Sequence, residues 1–157
     1  MKTALLILAT IFSFSLSAQT KGEKIWQYAS DHLGERIGDG NCDELLIYAY
    51  KAACDCQVRE KVGRNLYHYS YGKRVSRDSV VAGDIIVVNY YDKETGEYAD
   101  GHVAVVYSVT PTDLEVIHQN NGLTKQKDTF LMIATYDEIT SELDDSRTFK
   151  VLYYHPI

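Results

Sequence analysis

The stretch Gly38-Asp-Gly-Asn-Cys42-Asp-Glu-Leu-Leu-Ile-Tyr-Ala-Tyr-Lys-Ala-Ala53 decides how the chain is read. Its opening is a loop, because Gly, Asp and Asn in succession favour turns over regular structure. From Asp43 to Ala53 the side chains of Leu45, Leu46, Ala49, Ala52 and Ala53 fall on one broad helical face, with Asn41 or Cys42 where an N-terminal cap belongs. A cysteine is therefore expected at the mouth of a helix, where unpaired N–H groups and the positive dipole end favour an anion.

Upstream, Ile25, Trp26, Ala29 and Leu33 recur at helical spacing, and Gly34 follows as a stop signal, so a first helix is expected over Glu23 to Leu33. Downstream the period changes. Asp84 to Tyr91, His102 to Val109, Leu114 to Asn120, Thr129 to Ala134 and Phe149 to Tyr154 are short runs rich in Val, Ile and Tyr, expected as strands of one antiparallel sheet. Two helices followed by strands predict an α+β domain with the helices packed on a sheet face.

The chain begins with Met1-Lys2, an apolar run from Ala4 to Leu16, and the small residues Ser15-Leu16-Ser17-Ala18. This reads as a secretory signal peptide cleaved after Ala18, leaving residues 19–157 as a single exported domain, secreted or periplasmic, with no membrane insertion after cleavage. Of 157 residues, 45% are hydrophobic and 24% charged, which excludes collagenous and disordered chains. A net charge of -6 argues against nucleic acid as a partner, since that affinity comes from Lys and Arg neutralising phosphates.

His102-Val-Ala-Val-Val-Tyr-Ser-Val109 and Leu114-Glu-Val-Ile-His-Gln-Asn120 are separated by a short link containing Pro111, which predicts a hairpin. A three-residue loop would set Val109 against Asp113, His118 against Ala104 and Asn120 against His102; slips of a residue or two stay open. With side chains alternating along each strand, His102, His118 and Asn120 should point to one face. Cys42 as nucleophile, His102 as its base and His118 or Asn120 as the group orienting the imidazole would give every role needed for cysteine amide hydrolysis, with backbone N–H groups around Cys42 facing the oxyanion. The helix terminus and the imidazole should lower the thiol pKa, while Asp43 and Glu44 would raise it if they lean toward Cys42.

Other readings use the same residues. Cys42, His102 and His118 could bind zinc, although no second pair has metal-ligand spacing, and no cofactor or metal is expected. Cys54-Asp55-Cys56 could close a strained disulfide, but two small buried thiols are the expected state. Asp92, Glu94 and Asp100 are read as a solvated turn because Gly96 and Glu97 break a calcium-loop pattern. Tyr67, His68, Tyr69, Tyr71, Tyr90 and Tyr91 are read as sheet and surface residues, outside the site.

Gly34-Glu-Arg-Ile-Gly-Asp-Gly-Asn-Cys42-Asp-Glu-Leu-Leu-Ile-Tyr-Ala49, Val81-Ala-Gly-Asp-Ile-Ile-Val87, Gly101-His-Val-Ala-Val-Val106, Val116-Ile-His-Gln-Asn120 and the closing Tyr154-His155-Pro156 occur in that order. This series resembles CHAP-type domains, the cysteine, histidine-dependent amidohydrolase/peptidases of the NlpC-type, papain-like group, over Ile25 to Ile157. The resemblance implies a nucleophile at Cys42, a base at His102 and a polar partner on the next strand. His118 stands where many CHAP domains carry a carboxylate, and Asp43 where an apolar or aromatic residue is usual. It implies cleavage of amide bonds in peptidoglycan peptides. A catalytically inactive module binding a peptide or partner protein is the alternative that Asp43 and the divergent third residue support.

Overall fold

The protein is described from a computed structural model that covers residues 18–64, 66–120, 130–141 and 147–157. The expected signal peptide, but for Ala18, and Thr129 of an expected strand lie outside the described residues.

Helix α1 spans Lys21–Asp31. It begins two residues before the apolar period suggests, because a capping box sets its start: Glu23 N–H donates to Thr20 Oγ1 (3.2 Å) and Thr20 N–H to Glu23 Oε2 (2.7 Å). Helix α2 spans Cys42–Cys54 and stops at Asp55, which adopts the left-handed conformation (φ 51°). Among the described residues eight strands follow: β1 Arg59–Gly63, β2 Leu66–Tyr69, β3 Lys73–Val75, β4 Ile85–Asp92, β5 Tyr98–Val109, β6 Leu114–His118, β7 Met132–Thr135 and β8 Arg147–His155, with a short helix α3, Tyr136–Ser141, between the last two.

Strands β3 to β8 form one antiparallel sheet in the order β3-β8-β4-β5-β6-β7; the five runs expected as strands are β4 to β8, while β3, α3 and the separate β1–β2 hairpin were not legible in the sequence. Arg59 to Gly63 and Tyr67 to Tyr69 bury little, so no apolar alternation marks them. The large sheet is covered on both faces. Ile85, Val103, Val105 and Ile117 pack under Ile25, Ala29, Leu45, Leu46 and Ala49 of the two helices. Ile86, Val88, Ala104, Val106 and Val116 point the other way and pack with Ile139 of α3, Leu114 and Tyr153. Double burial explains why β4 and β5 read as nearly continuous apolar runs. Gly83 (φ 89°) lets α1 approach the start of β4, since a Cβ there would collide with the Gly22 carbonyl.

The β5–β6 hairpin corrects the expected loop. Val109 pairs with Leu114, so the connection is Thr110 to Asp113, one residue longer than expected and closed by Thr110 N–H to Asp113 O (2.9 Å). An irregularity at Tyr107 then restores the expected register, with Val106 opposite Val116 and Val105 opposite Ile117. Tyr107, left out of the pairing, accepts a hydrogen bond from Trp26 Nε1 (2.9 Å) and stacks on its ring. One step further on, His118 is level with Ala104. Strand β6 ends there, and Asn120 has φ 48°, so the expected pairing of Asn120 with His102 is not made.

Cys54 and Cys56 are joined in a disulfide with their Cα atoms 5.2 Å apart, correcting the expectation of two thiols. The left-handed turn at Asp55 brings them together, a conformation Asp tolerates better than most residues. Cys42 is the free cysteine. Asp92 closes the β4–β5 turn by accepting from the N–H groups of Glu94 (2.9 Å) and Thr95 (2.8 Å), as a solvated turn requires.

Candidate functional site

Cys42 is the first residue of α2, and the end of β6 makes room for it. Along β5, Val106 exchanges hydrogen bonds with the chain at Gly83 and Asp84, on the β4 side. By the alternation of an antiparallel strand, Val105 and Val103 then direct their N–H groups toward β6. Because β6 stops at His118, the Val103 N–H is left without a strand partner, and it points to Sγ of Cys42.

Two side chains of the His118-Gln119-Asn120 segment hold the loop before the cysteine. Gln119 is fully buried. Its Nε2 donates to the carbonyls of Ile37 (3.0 Å) and Asn41 (2.7 Å), and its Oε1 accepts from Ile37 N–H (3.1 Å). Asn120 Nδ2 reaches Asn41 Oδ1 (3.4 Å). Asn120 thus braces the nucleophile loop and does not orient the imidazole. Gln119 was passed over in the sequence reading, although a Gln following Ile117 and His118 on an otherwise apolar strand, with its side chain on the helix side, was a usable signal. In the same loop Gly38 has φ 56°, and a Cβ there would collide with the Glu44 carboxylate.

His102 and His118 are both buried, and their rings meet edge to face, His102 Nε2 lying 3.2 Å from His118 Nδ1. The expected partnership of these two residues is therefore present, and it leaves Nδ1 of His102 as the nitrogen for other work. Cys42 and His102 line one open pocket of about 440 Å³ together with Asp43, Asn89, Tyr98 and Val103. Three further tyrosines also line it: Tyr69 stacks on Tyr71 (5.7 Å between centroids), and Tyr71 meets Tyr154 edge-on (5.8 Å). Placing Tyr69 and Tyr71 at the site corrects their assignment to the bulk of the sheet. Tyr90 is, as expected, a core residue; it lies on the opposite face and donates to the Ile139 carbonyl (2.9 Å).

The electrostatics differ from the expected activated thiol. Burial pushes the Cys42 thiol up to about 11; the Val103 N–H opposes this, and the Asp43 and Asp100 carboxylates add to it. Desolvation, reinforced by His118, holds His102 down to about 3. The resting site therefore holds a neutral thiol and a neutral imidazole, because removal from water outweighs the helix terminus. Asn41 caps α2 without a side-chain hydrogen bond; in the first turn Glu44 N–H donates to the Asn41 carbonyl (3.1 Å), while the N–H groups of Cys42 and Asp43 lie at the thiol and can face a developing negative charge. Among the described residues no group of three or more His, Cys, Asp or Glu side chains is arranged to hold a metal ion.

A family model of the AIM3/BBC1 cysteine proteinase-fold domain matches residues 13–137, well over half of the sequence. The chain belongs to that family. The free cysteine at a helix start, with a histidine on a neighbouring strand, is the arrangement that a papain-like cysteine proteinase fold provides, and the resemblance read from the sequence holds at that level. Two solved structures of Ly7917 are similar to the domain, each with a TM-score of 0.56. The first is 17% identical and covers 87% of this chain; the second, described with the hydrolyzing product of MDP, is 15% identical and covers 86%. At such identity the likeness is one of fold, and the match covers 63% of the length of each Ly7917 chain. No curated protein matches the chain.

Proposed function

We propose that this cysteine proteinase-fold protein is a hydrolase of amide bonds, with Cys42 as nucleophile and His102 as base, and that it acts on peptidoglycan peptides. The observation that carries this reading is the shared pocket: the free cysteine, with first-turn N–H groups around it, and a histidine whose Nε2 is engaged by His118 line the same cavity. The CHAP-type motif series supports the substrate class, as does the hydrolyzing product of MDP in a structure of the same fold. The leader-like N-terminus fits an exported enzyme, secreted or periplasmic, which would meet that substrate.

The geometry suits general-base catalysis from a neutral pair. In the tautomer that donates Nε2–H to His118 Nδ1, His102 Nδ1 is the basic nitrogen. It removes the thiol proton as Sγ attacks the carbonyl carbon, and the oxyanion develops near the first-turn N–H groups of α2. The imidazolium then gives its proton to the leaving amine, and water, deprotonated by the same nitrogen, releases the acyl group from Sγ. His118 orients the ring throughout, in the place of a carboxylate.

A second reading, a binding module without turnover, is favoured by the raised thiol pKa and by the Asp43 carboxylate beside it. Incubation with purified peptidoglycan separates the two. Hydrolysis predicts release of new primary amines by the protein and none by Cys42→Ala; a binding module predicts retention of intact peptides by both.

A further inference from the structure

Helix α2 carries Cys42 at one end and, at the other, a disulfide that contributes little to the fold. Cys54 and Cys56 are separated by one residue, so their bridge closes almost no chain and constrains the unfolded state weakly. The chain on either side is anchored without it: Ala53 and Val58 are buried, Asp55 N–H donates to the Lys51 carbonyl (2.8 Å), and Ser70 N–H donates to the Val58 carbonyl (3.0 Å). The bridge is also accessible. Cys54 is exposed, and the half-buried Cys56 lines a cavity of about 570 Å³ together with Lys51, Asp55 and Arg59. The two sulfurs differ in surroundings. Cys54 ends α2, where the negative dipole end disfavours a thiolate, and its Sγ lies 3.2 Å from the Tyr50 carbonyl, against 3.8 Å for Cys56. Cys56 lies beyond the helix and faces a cavity with two cations against one carboxylate. Arg59 is paired with Asp43 (3.4 Å), whereas the Lys51 ammonium has no ion-pair partner among the described residues.

We infer that the Cys54–Cys56 bridge is a second reactive centre, a thiol-exchange site that takes two electrons from low-molecular-weight thiols. A thiolate from solvent attacks the exposed Cys54 Sγ, a new sulfur–sulfur bond forms there, and the Cys54–Cys56 bond breaks with its electron pair leaving on Cys56. Cys56 is the better leaving group because Lys51 favours its thiolate, while the helix end disfavours that of Cys54. A second thiolate then attacks the small-thiol sulfur of the mixed disulfide. It departs as a small-molecule disulfide, and Cys54 and Cys56 take up the protons that the two thiols gave to water. The net change is two thiols oxidised to one disulfide and one bridge reduced to two thiols. The Tyr50 carbonyl, facing Cys54, is a ready acceptor for its S–H in the reduced protein. Cys42 takes no part, since twelve residues of helix at 1.5 Å each place it about 18 Å away along α2. The inference is therefore independent of the proposed hydrolase.

The test uses Cys42→Ala, in which the bridge holds the two remaining cysteines. The folded protein is incubated at pH 7 in excess reduced glutathione with a little oxidised glutathione, quenched in acid, labelled with N-ethylmaleimide and read by mass spectrometry, with circular dichroism following the fold. More than half of the protein is expected to carry two labels at equilibrium with its dichroism native, whereas a structural bridge resists the same buffer. Early quenches should show glutathione on Cys54 and the label on Cys56. Lys51→Gln, on the exposed side of α2, should slow the opening about threefold, by weakening the leaving group. A bridge that stays closed, or that opens only as the native dichroism is lost, overturns the inference. Glutathione on Cys56, or a Lys51→Gln rate equal to that of the parent, overturns the assignment of Cys54 as the attacked sulfur and Cys56 as the leaving one.

Discussion

His102 Nε2 lies 3.2 Å from His118 Nδ1, with the two ring planes at 87°. A histidine in the orienting position holds the ring of the base by a hydrogen bond but does not stabilise the imidazolium as a carboxylate would. His118→Ala is expected to lower kcat with little change in KM. His118→Glu is expected to keep activity and to move the acid limb of the kcat/KM profile to higher pH. A pH profile of the three proteins checks this, and an unmoved acid limb in His118→Glu counts against the assignment.

The thiol of Cys42, pushed up to about 11, should react slowly with iodoacetamide at neutral pH. Its rate should climb toward pH 11, later than the ordinary thiol range of about 8.5. Asp43 is one of the charges that raise it, so Asp43→Asn should shift the alkylation curve to lower pH. Cys54 and Cys56, joined in a disulfide, provide no competing signal until they are reduced.

Acid should destabilise the fold through His102. Its folded pKa, about 3, lies below the ordinary imidazole value of 6.5, so between those values the unfolded chain binds a proton that the folded chain refuses. Stability therefore falls as pH drops from 6.5 toward 3, and the loss is complete below the folded value. Denaturant midpoints across that range should flatten in His102→Gln, where no such proton is taken up.

Gln119→Leu should cost about 2–4 kcal/mol, because it removes three hydrogen bonds and strands the buried N–H and carbonyl of Ile37. Urea unfolding measures that cost. In refolded variant at saturating substrate, kcat should fall as well, since Asn41 directly precedes the nucleophile. A loss of stability with kcat unchanged would make Gln119 structural alone.

Reduction of the Cys54–Cys56 bridge should cost only about 1–2 kcal/mol, since the chain it closes is very short. Thermal unfolding with and without reductant measures it, and activity should survive the treatment.

The sequence made the frame of the site legible because its signals are local. The Gly38 to Asn41 loop, the apolar face of α2 and the Val-rich strands each announce one element by composition and period. The register that brings His118 to His102 followed from alternation, even though the turn is longer than expected, because the irregularity at Tyr107 compensates for it. What stayed hidden depends on contacts between distant segments. Tyr69 and Tyr71 enter the pocket only because the β1–β2 hairpin and the chain beyond it return to the start of α2. Gln119 acquires its role from a loop 82 residues away. The sign of the Cys42 shift could not be read from a helix terminus alone, since burial, which only the packed structure defines, is the larger effect.

The central claim is that Cys42 carries the acyl group of a cleaved amide, with His102 moving the proton. Its most direct test is mass spectrometry of the protein quenched in acid during incubation with peptidoglycan peptides. The account predicts an acyl adduct on Cys42 in the wild-type protein, about 10²–10⁴-fold slower cleavage in His102→Ala, and neither adduct nor cleavage in Cys42→Ala. Cleavage that persists in Cys42→Ala, or an unmodified Cys42 with every peptide intact, would contradict it.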